Sequence, residues 1–447
     1  MAIYHISPLA PQLMSIGGNL DENILLEFPA IVDFGQFEVE SKIHNQDLVN
    51  LRVQDIITFF DSLSQTWSTG ITSFNSKFGY LGISFLIHFL KKKNINNLLK
   101  VSLKGNLDFL NQFVKHEKLD KYLMAHPKGI ILHWLSGNVP VLGMLSLVQG
   151  ILTKNVNIIK LPLENGAILP KMVAEIMKHR VAIDGGKELS GETIFKGVRF
   201  VYCPRDDKTS QENLSRIADV RVAWGGKDAV EAVIRNPKKY STKDVVFGPK
   251  YSFVVIAKNS ISKEEIDDIA YKIALDASIF EQKGCNSPHT VFIEESGNIS
   301  GIELAKSLSK GMEKVLKRIP KAPLTPQESL KIINTRSEYE FVGKVFASKG
   351  TEWSVLYSAD EGLADACFNR VLFVRPINSL DQVLKYIDHN SQTIGLCISE
   401  NERFSFAKKV TAAGVERITD LGKMSVYDHP WDGQFPMESF VRWVSLC

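Results

Sequence analysis

Gly129-Ile130-Ile131-Leu132-His133-Trp134, the turn Ser136-Gly137-Asn138, and the run from Pro140 to Leu152 that leads into Asn155-Val156-Asn157-Ile158-Ile159-Lys160 decide how this chain folds. The first run has the length and apolar character of a strand buried on both faces. Pro140 stands where a helix begins, since its ring pre-sets φ and its missing N–H has no partner there anyway. The second apolar run is again strand-like and is stopped by Pro162. Strand, helix and strand in succession make a parallel unit.

The same alternation continues outward. Residues 168–180 read as helix, 198–202 as strand, 212–218 as helix and 220–224 as strand, and Gly225-Gly226 opens a helix over 227–234. A second block repeats the theme, with a strand at 252–257, a helix over 263–280, a strand at 290–293 and a helix over 302–316. The proline- and charge-rich stretch 319–350 reads as connecting structure. Strands follow at 370–374 and 393–398, with a helix at 380–387 between them. Upstream, 61–125 looks helical, whereas 1–60 is not readable. The last twenty residues, with Tyr427, His429, Pro430, Trp431 and Trp443, look like an irregular aromatic closing segment. The fold class is therefore α/β, with a parallel-sheet block in residues 1–250 after a helical start, a second α/β block in 251–425, and a closing segment in 426–447.

Bulk properties narrow the function. A chain of 447 residues exceeds one core, and its 44% hydrophobic and 23% charged content is that of an ordinary globular protein. A net charge of +3 gives no basis for nucleic-acid binding, and Lys91-Lys92-Lys93 reads as a solvated helix end. The 5 cysteines include no CxxC pair, so neither a disulfide framework nor a metal site is expected. The start lacks a signal peptide, and the apolar runs 79–90 and 139–152 fall short of the roughly 20 residues that span a bilayer. A cytoplasmic protein without a membrane span is expected.

Cys285 is the sharpest chemical feature. It lies in Phe280-Glu281-Gln282-Lys283-Gly284-Cys285-Asn286-Ser287-Pro288, a polar loop between a helix and a strand. A thiolate is the strongest common side-chain nucleophile near neutral pH, and Lys283 is placed to lower its pKa. Taken alone, a loop cysteine is more often a small buried hydrophobe. Asn138, in a turn before a helix start, is of the type that receives an oxyanion, although a plain helix cap is the commoner use. Lys160 ends a parallel strand, where ligands of open α/β sheets bind. Gly225-Gly226 exposes N–H groups at a helix start that suit a pyrophosphate, though no GxGxxG is present. His133 and His289 are candidate general bases but sit in or beside apolar strands, and a structural role is favoured for both.

In this order, the segments resemble the aldehyde dehydrogenase superfamily, and more closely its acyl-CoA reductase branch, typified by the reductase component of the fatty-acid reductase of bacterial bioluminescence. Trp134 to Pro140 looks like the strand-turn segment that supplies the oxyanion asparagine, with Asn138 in that place and Trp134 at its head. Lys160 takes the place of the cofactor-ribose lysine, Trp224-Gly225-Gly226 that of the glycine turn beside the pyrophosphate, and Cys285 that of the nucleophile. Asn390 through Ile394-Gly395-Leu396 matches a late catalytic-domain pattern. The resemblance covers about residues 125–420 and implies an aldehyde-dehydrogenase-like fold, with a Rossmann-type cofactor domain within 1–250 and an α/β catalytic domain over 251–425.

The departures are informative. The superfamily's water-activating glutamate is replaced by Val246, which disfavours hydrolysis of an acyl-enzyme, and its ribose-binding glutamate has no counterpart near Ala366-Cys367-Phe368-Asn369. The resemblance implies NADPH-dependent reduction of an acyl thioester to an aldehyde, with NADH as the alternative cofactor. Leu163 offers no carboxylate to repel a 2′-phosphate. The acyl donor would be acyl-CoA, a carrier-bound thioester or an acyl-transferring partner enzyme. A CoA-acylating dehydrogenase working oxidatively and a silent nucleotide-binding subunit are the rival readings. The superfamily implies a homo-oligomer, although no oligomerisation hairpin is plain before His126.

Overall fold

The computed structural model describes residues 33–447 except 71–73, 75–77, 79–80, 138 and 163–165; before Asp33 it describes Ile31 and the backbone of three short strands. Two compact units emerge. One comprises residues 1–248, 428–430 and 434–447, and the other 249–427 and 431–433.

The first unit is built on a six-stranded parallel sheet. Its order is Ala2–His5, Arg199–Tyr202, Val156–Lys160, Ile130–Trp134, Val220–Trp224, Lys243–Phe247. The chain moves outward from Ile130–Trp134 on one side, then returns to lay Val220–Trp224 against its other side. That reversal is the switch point at which doubly wound sheets open a ligand crevice. All five residues of Ile130–Trp134 and of Val220–Trp224 are buried, as parallel strands covered on both faces must be. Gly129 holds φ +137, and a Cβ there would stand 2.1 Å from Asp219 Oδ2, the atom that accepts from Ile130 N–H. The helix Pro140–Leu152 begins at its proline, as the sequence predicts.

The helical reading of 61–125 needs correction. Helices Val53–Ser68, Ile83–Leu90 and Lys92–Ser102 give way to strands Val114–His116 and Lys121–Pro127. These two form an antiparallel hairpin, and Val441–Leu446 adds a third strand to it. His126 itself lies in the second strand of this hairpin, and the closing segment, irregular through residues 427–435, ends in a short helix Pro436–Ser439 followed by its strand. Lys91, Lys92 and Lys93 are exposed.

The second unit carries a seven-stranded sheet, ordered Gly343–Ala347, Ser354–Ser358, Val371–Ile377, Pro288–Glu294, Tyr251–Ile256, Ser391–Cys397, Arg417–Asp420. All neighbours are parallel except the first pair. Helices Ile266–Ser278 and Gly301–Arg318 cover one face through Ala270, Ile273, Leu304 and Leu308. The stretch read as connecting structure contains a 17-residue helix, Pro326–Val342, started by a Thr325/Glu328 capping box and a proline in its first turn. Its dense charge hides the apolar face that Ile332 and Tyr339 bury. The expected helix at 380–387 is a 3-10 segment, Leu380–Tyr386.

Candidate active site

The first unit gathers four of the sequence-predicted residues on the carboxyl edge of one sheet. Trp134 and Lys160 are cross-strand partners at the ends of adjacent strands, and Ala223 pairs with Trp134 from the other side. This brings Gly225 and Gly226, which follow Trp224, to the same edge. Gly225 N–H donates to Phe247 O at 3.1 Å, and Gly226 caps the helix Lys227–Arg235. No side chain caps that helix start, and a Cβ on Gly226 would meet nothing within 4 Å. Burial lowers the Lys160 pKa, and its ammonium has no hydrogen-bond partner among the described residues. The Trp134 indole N–H is likewise buried without one. Uncapped amides, an unpaired cation and an orphaned donor at a switch point fit a dinucleotide.

Three expectations in this unit have plain outcomes. Asn138 and Leu163 lie outside the described residues. His133 is fully buried between Ser146 Oγ at 2.8 Å and Asn157 Oδ1 at 3.0 Å. Burial pushes its pKa down to about 4, so it is a satisfied neutral core residue. Val246 packs against the core cluster that contains Trp134.

The second unit presents Cys285 on a loop of unusual backbone. Phe280, Glu281 and Gln282 hold φ of +57, +54 and +61, and Phe368, Asn369 and Arg370 hold +61, +56 and +64. Left-handed conformations cost an L-residue roughly 1 kcal/mol each, so two such triplets persist only if their surroundings impose them. They brace each other. Arg370 donates twice to the Glu281 carboxylate, at 3.0 and 2.7 Å, and Asn369 N–H donates to Glu281 O at 2.8 Å. Lys321 adds a second cation at 2.7 Å. Gln282 accepts from Val371 N–H at 2.7 Å and donates to Val371 O at 3.0 Å and Pro288 O at 2.9 Å. A Cβ on Gly284 would stand 2.7 Å from Asn286 Oδ1, so a side chain just before Cys285 would have to displace the Asn286 amide, which donates to Met424 O at 2.9 Å.

Two residues that sequence reasoning passed over face the Cys285 sulfur. The strand Tyr251–Ile256 pairs Tyr251 with Ser391 but Phe253 with Ile394, so Gln392 and Thr393 lie opposite the single residue Ser252. Such a bulge re-aims a side chain. Ser252 Oγ ties the two segments, donating to Cys285 O at 2.8 Å and accepting from Thr393 N–H at 3.1 Å. Gln392 Nε2 then donates to Cys285 Sγ at 3.2 Å and also to Asp432 Oδ1. Asp432 Oδ2 and Gln392 Oε1 are buried without partners. Glu416 N–H donates to Gln392 O at 3.3 Å, and the Glu416 carboxylate takes Lys250 at 2.9 Å.

The electrostatics reverse the expected tuning of the thiol. Lys283 pairs with Glu328 at 2.8 Å, so its charge is already matched. Burial first, and then the nearby Asp432 carboxylate, push the half-buried Cys285 thiol up to about 12; the Gln392 amide and the backbone N–H groups of Cys285 and Asn286 pull the other way. Burial also raises Asp432 to about 6; Gln392 and Lys250 oppose the rise and Glu416 adds to it. His289 is not bonded to Cys285 among the described residues. Its ring meets Phe368 edge-on at 5.2 Å, and burial pushes its pKa down to about 4.

The five cysteines are free thiols. Among the described residues, no group of three His, Cys, Asp or Glu side chains could hold a metal ion, and no helix is long and apolar enough to cross a membrane.

Comparison with known proteins gives the family and the fold. The acyl-CoA reductase (LuxC) family description matches residues 48–443. A long-chain acyl-protein thioester reductase of Vibrio harveyi is 27% identical over 436 residues, covering 93% of this chain and 87% of that protein. The one from Aliivibrio fischeri is 25% identical over 434 residues, covering 91% and 85%. Among solved structures, 3,6-anhydro-L-galactose dehydrogenase in complex with NAP superposes with a TM-score of 0.58 at 11% identity, covering 99% of both chains. An NAD-dependent aldehyde dehydrogenase from Burkholderia multivorans gives 0.53 at 13% identity, covering 89% and 84%. The fold is that of the aldehyde dehydrogenases.

Proposed function

The chain belongs to the acyl-CoA reductase (LuxC) family, and from that membership we propose that it reduces a long-chain acyl thioester to the aldehyde with NADPH, through an acyl group carried on Cys285. The observation that carries this reading is the Cys285 sulfur. It is half-buried on a doubly braced loop, with the Gln392 amide at 3.2 Å and two backbone N–H groups favouring its ionised form.

In the first step the Cys285 sulfur attacks the thioester carbonyl, the bond to the departing thiol breaks, and the sulfur's proton leaves with that thiol. Asn138 is assigned as oxyanion donor on the resemblance of residues 134–140 alone. Lys160, Trp134 and the amides at Gly225 and Gly226 would hold the dinucleotide, which supplies the hydride that takes the acyl group to the aldehyde level. Collapse of the resulting thiohemiacetal on Cys285 releases the aldehyde, and a proton taken from solvent restores the thiol. Val246 has no proton to exchange, which leaves the acyl-enzyme without an activating base for water at that position. The curated relatives are named for acyl-protein substrates, so the donor would be a protein-bound or CoA-bound long-chain acyl group. The 2′-phosphate preference rests on the family resemblance.

The test is oxidation of NADPH and NADH by wild type and Cys285→Ala, supplied with long-chain acyl-CoA and with acyl-protein thioester. Wild type should form aldehyde and Cys285→Ala should lose at least about a thousandfold in rate, the scale of losing a covalent nucleophile. Aldehyde formation by Cys285→Ala at the wild-type rate would overturn the assignment.

A further inference from the structure

We propose that Gln392 and Asp432 set the reactivity of Cys285 as a linked pair: Gln392 is a catalytic residue that donates to the sulfur as it ionises, and Asp432 is a positioning residue that holds the Gln392 amide and whose charge restrains the thiolate. This deepens the reading of Cys285 as the nucleophile and rests on it.

The geometry carries the argument. One amide nitrogen serves both partners, with Sγ at 3.2 Å and Asp432 Oδ1 on the other side. Gln392 is 1% exposed and Asp432 8%, so water screens neither. The bulge opposite Ser252 aims Gln392 at the loop, and Glu416 N–H fixes its backbone. Asp432 itself holds φ +47, a conformation Asp tolerates better than most residues. The tilted contact of Trp431 with Tyr427, 4.7 Å between ring centres, and Arg417 over the Trp431 ring at 5.5 Å fix the residue beside it.

Two buried acceptors, Asp432 Oδ2 and Gln392 Oε1, have no donor among the described residues. A proton on Asp432 would remove the negative charge beside the sulfur. The charged groups acting on Asp432 in this unit are Glu416, which favours that proton, and Lys250, which opposes it; the Cys285 thiol completes the set. Protonation of Asp432 therefore makes the thiolate easier to form, and ionisation of Asp432 makes it harder. The two side chains act on the sulfur with opposite sign, which an ordinary packing role would not produce.

The test is the rate of Cys285 alkylation by iodoacetamide, followed by mass spectrometry of the 279–290 peptide, in wild type, Asp432→Asn and Gln392→Met. Asparagine keeps an acceptor for Gln392 and removes the charge, so alkylation at pH 8 should rise roughly three- to tenfold. Methionine keeps the length and removes the donor, so the rate should fall by a similar factor. Wild type alone gives a second reading. Between pH 7 and pH 5 its rate should fall by clearly less than about a hundredfold, because Asp432 takes up its proton in that interval. Variants that move together, or do not move, with a wild-type profile of tenfold per pH unit throughout, overturn the coupling. Aldehyde formation by Cys285→Ala would instead overturn the nucleophile assignment, so the two failures are distinct.

Discussion

The sheet edge that fits a dinucleotide and the loop that carries Cys285 are built on different principles. At the sheet edge, Trp134, Lys160, Gly225 and Gly226 are placed by regular strands and by the register between them. Their positions follow from where each strand stops. Around Cys285, six residues sit in left-handed conformations, and a buried carboxylate shared by two cations holds them there. The first kind of site comes from the fold's repeating pattern. The second comes from particular long-range contacts and is the more fragile.

The largest expected effect probes that fragility. Arg370 is 1% exposed and Lys321 half-buried, and both depend on Glu281 for their countercharge. Glu281→Ala leaves two cations uncompensated around the loop and should cost about 3–5 kcal/mol in urea unfolding. Acylation of Cys285 should fall with it. The equivalent truncation on the other unit's surface, Asp228→Ala, should cost less than about 0.5 kcal/mol. Equal losses would mean that the loop is not held in the way the geometry implies.

The same contrast explains what was legible beforehand. Buried strands and a helix started by Pro140 advertise themselves through apolar runs and punctuation, and Trp134, Lys160, Gly225 and Gly226 are legible because they mark where those runs end. Cys285 is legible because a small polar loop between two elements frames it. Gln392 and Asp432 give no such signal. Gln392 is 107 residues from Cys285 and 40 from Asp432, and it reaches the sulfur only because of a bulge in its strand. The Lys283 expectation failed for a related reason. Sequence neighbourhood placed it by the thiol, but the capping glutamate of a helix 45 residues on takes its charge. The helix Pro326–Val342 and the hairpin Val114–Pro127 were missed because charge masks one and short strands hide the other.

The two units also differ in the sign of their response to pH. The first holds His133 and His429 buried, each pushed down by burial to about 4 from an ordinary 6.5. The unfolded chain binds protons there that the folded chain refuses, so stability is full above about 6.5 and is lost as pH falls towards 4. The second holds Asp276, which burial pushes up to about 7 although Gly422 and Met424 N–H groups donate to it. That contribution is full below the ordinary carboxylate range and is lost as pH rises through 7, with Asp432 acting in the same direction and His289 offsetting part. From pH 7.5 to 5, hydrogen exchange corrected for intrinsic rates should show peptides of Ile130–Trp134 losing about 2–3 kcal/mol of protection. Peptides of Ile266–Ser278 should gain a similar amount. His133→Gln should flatten the first trend and leave the second. Parallel trends in wild type would sink the distinction.

The smallest effect falls on Lys160. Its ammonium sits at the carboxyl edge, desolvated and without a hydrogen-bond partner among the described residues. A lysine left unpaired in this way gains most when a ligand hydroxyl or phosphate reaches it, and it contributes little to the fold. Lys160→Met keeps the buried stem and removes the charge. It should weaken binding of NADPH about tenfold by isothermal titration, which corresponds to about 1.4 kcal/mol. The melting temperature should stay within about 2 °C of wild type or rise, since burying a lone charge costs stability. Glu281→Ala should do the reverse, with a large loss of stability and, by the separate construction of the two sites, little direct effect on the dinucleotide's contacts. A Lys160 variant that unfolds early while binding NADPH normally would show that this edge, too, is held by its charges rather than by its strands.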